Sequence, residues 1–236
     1  MYLLLILLLF GFFFPVFLIP LFLIAIFMLF FLPFKFTIDS FFNLFSVPKQ
    51  IYKIATNPKL RKNHGLEHAT INILEKEYGY NDLAGYAEED GFYIMGVNNT
   101  VYVEEAARKG LRLMQKGKEE LAIHKRCGTS MTVANFLSAI IFLSLLFSSG
   151  HFSILNMIIA IIIANLVGPY IGQIVQRKFT TTSKVKEMEI KKSYFSESGS
   201  FFNQPVKIFV ETEKIPYINQ EWYNVEIERK NWFIRS

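Results

Sequence analysis

The chain has 236 residues, enough for one or two domains, and is 52% hydrophobic and 16% aromatic with 25 Phe. Its net charge is only +5, and no basic run interleaves with aromatics, which argues against a nucleic-acid partner. The single cysteine, Cys127, excludes an internal disulfide and leaves a buried thiol, a metal ligand or a nucleophile.

The apolar residues are concentrated. Residues 1–34 carry no charge, and neither do residues 127–176. A bilayer core of about 30 Å needs about 20 helical residues, so both runs predict membrane segments. Residues 2–34 exceed one straight span, and Pro15 and Pro20 predict a kink in one long, tilted helix. The run lacks a basic start and a small-residue cleavage site, so residues 1–34 read as a retained anchor. Residues 35–56 mix Phe, Ile and Tyr with Lys49 and Lys53. They read as an amphipathic linker, lying on the membrane surface or packed on the soluble domain.

Residues 57–130 are polar and charged and read as a small domain. Asn57-Pro58 starts a helix that ends at Gly79. The stretch NDLAGYAEEDG then reads as a loop, and FYIMG as a short strand ended by Gly96. Asn98–Thr100 cap a second helix over about 101–116, with Val103, Ala106, Ala107, Leu111 and Met114 on one face. A helical turn, KEELAIH, leads to His124.

Residues 131–176 read as a helical hairpin turned by SSGHFS, with Gly168 and Gly172 at a spacing that permits close helix approach. Residues 177–236 form a polar tail in which VKIFVETE and YNVEIERKNWFI alternate as strands do. The expected fold is a mainly α membrane protein. About three transmembrane helices would carry a small α+β cytoplasmic domain and a β-rich C-terminal tail. Lys35, Lys49, Lys53, Lys125, Arg126, Arg177, Lys178 and Lys184 flank the apolar runs on one side, whereas the hairpin turn at 148–153 has no Lys or Arg. The positive-inside rule therefore puts the polar parts in the cytoplasm. There the glycosylation sequon Asn98-Asn99-Thr100 has no meaning.

The stretch RKNHGLEHAT holds two of the four histidines. On a helix, His64, Glu67 and His68 share a face, so the two imidazoles can grip one metal ion with a carboxylate beside it. H-x-x-E-H is the spacing of inverzincin metallopeptidases, in which the glutamate is a general base. The alternative is a polar helix face against solvent. A second motif, HKRCGTS, supplies His124 and Cys127, a workable ligand pair just before the hairpin. Glu88, Glu89 and Asp90 read as a solvated loop, and His151 as structural.

The segments NHGLEHATINILE, GYAEEDGFYIMG, ELAIHKRCGTS and QRKFTTTSKVKEMEI resemble an uncharacterised family of bacterial membrane proteins, domain of unknown function 6391. They also resemble its apparent relative, domain of unknown function 1385. The resemblance covers roughly residues 57–190. It implies a multi-helix protein of the bacterial inner membrane with a polar motif domain, and it supplies no activity.

Three readings of function follow. In the first, His64, His68 and His124 hold zinc, with Cys127 as an optional fourth ligand that would fill the site, while Glu67 is the base and Arg126 stabilises an oxyanion in a hydrolase of peptidase type. In the second, the same cluster is a filled structural site in a scaffold, assembly factor or sensor. In the third no metal binds, and Cys127 and His124 are either a structural polar corner or a thiol activated by His124, Lys125 and Arg126. The expected partners are the lipid bilayer and a membrane-protein or peptide partner. Transport is disfavoured because the apolar runs carry no charge.

Overall fold

The computed structural model describes residues 18–196 and 206–215. The N-terminal stretch with Pro15, and the strand expected at YNVEIERKNWFI, lie outside the described residues. Within them the chain is mainly helical with one small antiparallel sheet. In order come α1 (Leu18–Ala55), α2 (Pro58–Tyr78), β1 (Ala84–Ala87), β2 (Gly91–Met95) and α3 (Thr100–Gln115). A 3-10 turn (Glu119–Ala122), α4 (Gly128–Ser149), α5 (Ile154–Val175), a π turn (Gln176–Thr180), β3 (Met188–Phe195) and β4 (Lys207–Lys214) follow.

Among the described residues three helices are long and apolar enough to cross a membrane: Ile19–Ala55, Gly128–Ser149 and Ile154–Thr180. Phe22, Phe42, Phe45, Phe147, Leu155 and Leu166 on them are exposed, a pattern suited to hydrocarbon. α1 runs through residues 35–55, which the sequence reading set apart as a linker, and keeps its course past Pro33 and Pro48. Thr37 Oγ1 donates to the Pro33 carbonyl at 2.7 Å within it.

The chain divides into two compact units. The described residues of the first are 18–47 and 134–168. Its core joins Phe142, Leu143, Met157 and Ala160, with Phe36 edge-on to Phe142 at 4.9 Å. A Cβ on Gly168 would lie 2.6 Å from Ala134 Cβ, so only glycine allows this approach.

The second unit, residues 48–133, 169–196 and 206–215 among those described, holds the sheet. Its strand order is β1-β2-β4-β3, every neighbour antiparallel. The sequence reading assigned β1 to a loop and β4 to a separate tail. Instead β1 pairs β2, and β4 lies between β2 and β3 at the heart of the sheet. Alternation buries one face: Phe92 and Ile94 of β2 stand opposite Val210 and Ile208 of β4. The apolar face of α3, with Val103, Ala106, Ala107, Leu111 and Met114, joins the same core.

α2 is different. Residues 63–71 are all buried, because α3, the sheet and the 3-10 turn surround the helix. Its buried polar side chains therefore need internal partners. Asn63 donates to the Glu88 carbonyl at 2.8 Å and accepts from Thr212 of β4 at 2.7 Å. Asn72 donates to the carbonyls of Leu121 and Ile123 at 3.1 and 3.0 Å, strapping the 3-10 turn to the helix.

Candidate metal centre

Asn57 caps α2 by accepting the Leu60 N–H at 3.2 Å, and Gly79 ends the helix in the left-handed region at φ 71°. Between these ends His64 and His68 stand one turn apart with ring centroids 4.4 Å apart. Each ring is fixed through Nδ1. His64 Nδ1 lies 2.9 Å from the Thr180 carbonyl and His68 Nδ1 2.8 Å from the Ala122 carbonyl. A carbonyl can only accept, so both Nδ1 atoms carry the proton and both Nε2 atoms keep a lone pair. His68 Nε2 is buried and has no hydrogen-bond partner among the described residues.

Cys127 completes the group. Its Sγ lies 3.4 Å from His64 Nε2, and the ligand atoms of His64, His68 and Cys127 all fall within 4.8 Å of one another. A tetrahedral zinc ion with bonds of about 2.0–2.3 Å sets its ligand atoms about 3.3–3.8 Å apart, so the His64–Cys127 spacing fits and slight closure brings in His68. The buried His/His/Cys group could thus hold a metal ion. Burial pushes both imidazoles below their ordinary value, and for His68 the charge of His64 adds to this. Both are therefore neutral at pH 7, as ligation requires.

Glu67 sits beside the group. Its Oε2 lies 3.9 Å from His64 Nε2, is buried and has no hydrogen-bond partner among the described residues. Burial raises its carboxyl to about 8. Gly85 of β1 passes directly over it: a Cβ there would lie 2.6 Å from Glu67 Oε1. His64, Glu67 and Cys127 line a cleft of about 260 Å³ together with Ile51, Ile54, Leu60 and Gly85, Tyr86 and Ala87 of β1.

The other residues singled out in the sequence stand elsewhere. His124 is buried, but its Nε2 meets Glu75 Oε2 at 3.2 Å, and its ring is 6.0 Å from that of His68. H-x-x-C spacing gave no direction to the side chains because residues 123–127 form a loop rather than a helix. Arg126 spends its guanidinium on Glu75 at 2.8 Å and Asp82 at 3.2 Å and does not line the cleft. The activated-thiol reading also changes. Burial pushes the Cys127 thiol up rather than down, and its nearest imidazole is His64 rather than His124. Glu88, Glu89 and Asp90 are exposed at the β1–β2 turn, and His151 is exposed on the α4–α5 turn.

Two further residues shape the centre without a motif to mark them. Glu75 lies two helical turns beyond His68 on the same side of α2, a spacing that could have marked it. Gln176 is fully buried and holds the His124 loop from both ends of its amide: it accepts the His124 N–H at 3.1 Å and donates to the His124 carbonyl at 3.1 Å and to Ser130 Oγ at 2.7 Å. Its place in the QRKFTTT segment was its only signal.

Residues 59–193 match the family described as domain of unknown function (DUF6391). The chain belongs to this family. The family match spans the whole candidate centre, from His64 to Thr180. A curated relative, an uncharacterized protein of Picosynechococcus sp., is 34% identical over 90 residues, covering 34% of this chain and 43% of the relative. The chain thus spans less than half the length of that relative. No solved structure matches this member of the family. Kinship with domain of unknown function 1385 stays an expectation of the sequence.

Proposed function

We propose that the protein is a zinc-dependent hydrolase of peptidase type in the bacterial inner membrane. The observation that carries this reading is the pairing of three converging ligands with an unpartnered buried carboxylate at an open cleft. A structural zinc site is closed by four protein ligands, whereas a catalytic site keeps one position free. Of the four ligands expected from the sequence, His124 is engaged by Glu75, which leaves three and favours catalysis over a scaffold.

Zinc held by His64, His68 and Cys127 would supply Lewis-acid activation of a water molecule. The chain's own residues do the rest. With the charge of zinc beside it Glu67 would be ionised, and it would then accept a proton as the water oxygen bonds to the substrate's carbonyl carbon. It passes that proton to the amide nitrogen as the C–N bond breaks. The carbonyls of Thr180 and Ala122 hold the Nδ1 protons of both imidazoles and so leave each Nε2 free to bind the ion. Glu75 braces the loop that carries Cys127 through a contact with His124 Nε2 and an ion pair with Arg126. The partners are the bilayer around the three apolar helices and a peptide substrate.

The test is metal content of detergent-purified protein, with His64→Ala and His124→Ala alongside. About one zinc per chain is expected in the wild type and in His124→Ala, and little in His64→Ala. Glu67→Gln is expected to keep its zinc and lose hydrolysis of an unfolded protein by at least about 100-fold. Wild type purified without chelator and free of metal would end the proposal.

A further inference from the structure

β1 is an edge strand. Its register with β2 pairs Ala84 with Met95, Gly85 with Ile94, Tyr86 with Tyr93 and Ala87 with Phe92. The Glu88 N–H donates to the Gly91 carbonyl at 2.8 Å, so Glu88 and Gly91 form a hydrogen-bonded pair. Such pairs alternate along an antiparallel ladder. Tyr86 and Ala84 therefore bond to β2, and Gly85 and Ala87 turn their N–H and C=O groups away from it. No hydrogen bond takes up these groups among the described residues.

Gly85 and Ala87 also line the cleft that holds His64, Glu67 and Cys127. The free backbone edge and the candidate centre thus face the same space. Ile51, Ile54 and Leu60 add apolar surface to the same lining, and Glu67 is its only Asp, Glu, Lys or Arg.

We propose that β1 is a docking edge on which an extended, uncharged peptide adds as a further strand through Gly85 and Ala87. Main-chain hydrogen bonds of this kind recognise a peptide backbone whatever its sequence. They would hold one amide of the peptide beside Glu67, while alternate side chains face Ile51, Ile54 and Leu60. A Cβ at position 85 would lie 2.7 Å from the Tyr93 carbonyl and 2.6 Å from Glu67 Oε1, which explains a glycine in the middle of a strand. The inference rests on the hydrolase reading and names its substrate class: unfolded or extended polypeptide, not a folded surface or a small ester.

The experiment separates the two. Zinc-loaded Glu67→Gln protein in detergent is mixed with saturating β-casein, a natively unfolded probe, and residue-resolved hydrogen exchange is followed. The amides of Gly85 and Ala87 are expected to slow at least tenfold, while that of Tyr86, already bonded to β2, changes little. Unchanged exchange at Gly85 and Ala87 would overturn the docking proposal. Casein cleavage by the wild type is measured separately. Cleavage without protection sinks the docking edge alone, and protection without cleavage upholds the edge and sinks the hydrolase. Ala87→Pro deletes one outward N–H and no bond to β2. With zinc content unchanged, it is expected to lower kcat/KM on casein at least tenfold, mostly through KM, and wild-type kinetics would count against the edge.

Discussion

Glu67 places a pH-dependent load on the metal-free protein. Its carboxyl rises from 4.5 to about 8 through burial. Between those values the folded chain holds a proton that the unfolded chain has lost, so stability falls as pH rises, by about 5 kcal/mol across the window. His64 and His68 act in the opposite sense. Burial lowers both from 6.5, so the unfolded chain binds protons first and stability falls as pH drops below 6.5. Above that pH the glutamate acts without them. In chelator, the wild type is expected to lose melting temperature steadily between about pH 6.5 and 8.5, and Glu67→Gln is not. Parallel profiles for the two proteins would refute this account. At this scale the sequence was most informative on α2, where helical spacing fixes direction: His64, Glu67 and His68 share a face as their numbering requires. It was least informative in the loop 123–127. There His124 turned to Glu75, and only the fold decides which way a loop side chain points.

The elements of the second unit show what local pattern can and cannot carry. The ends of α2 and α3 follow from Asn57, Gly79 and Asn99, because capping is local chemistry. β1 was read as a loop because Ala-Gly-Tyr-Ala has little strand propensity; its extended form comes from β2 beside it. The central position of β4 is a pairing over more than a hundred residues, which no local pattern encodes. That placement makes a firm prediction. A chain ended after Ser183 keeps all three candidate ligands and the Thr180 carbonyl but loses Met188, Ile190, Ile208 and Val210 from the core. At about 1.5–3 kcal/mol for each buried side chain, the loss rivals the whole stability of a domain, about 5–15 kcal/mol. The truncated protein is expected to be digested rapidly by protease across residues 57–130 and to hold no metal. A protease-resistant, metal-loaded truncation would show that the sheet is dispensable.

For the molecule as a whole, the bias of Lys and Arg to one set of helix ends sets the expected topology. The α4–α5 turn should face away from the cytoplasm and the sheet-bearing unit toward it. An impermeant maleimide applied to intact cells is expected to label Ser149→Cys, and to label Lys118→Cys only after permeabilisation. Both positions are exposed, whereas the native Cys127 is buried. The reverse pattern would invert the topology. The three apolar helices were legible in composition alone, since a bilayer demands a length that few other constraints impose. The extent of α1, 38 residues, was not, because its prolines and lysines read as boundaries.

The hydrogen bond from His64 to the Thr180 carbonyl has a bearing on biosynthesis. The ribosome delivers His64, His68 and Cys127 before any of the α4–α5 hairpin, and Thr180 only after all of it. Until then the nascent chain carries a His64 ring with nothing to choose its tautomer. The order of translation thus makes the Nδ1-protonated form of His64, with its free lone pair on Nε2, a state the chain fixes only once the hairpin has been made.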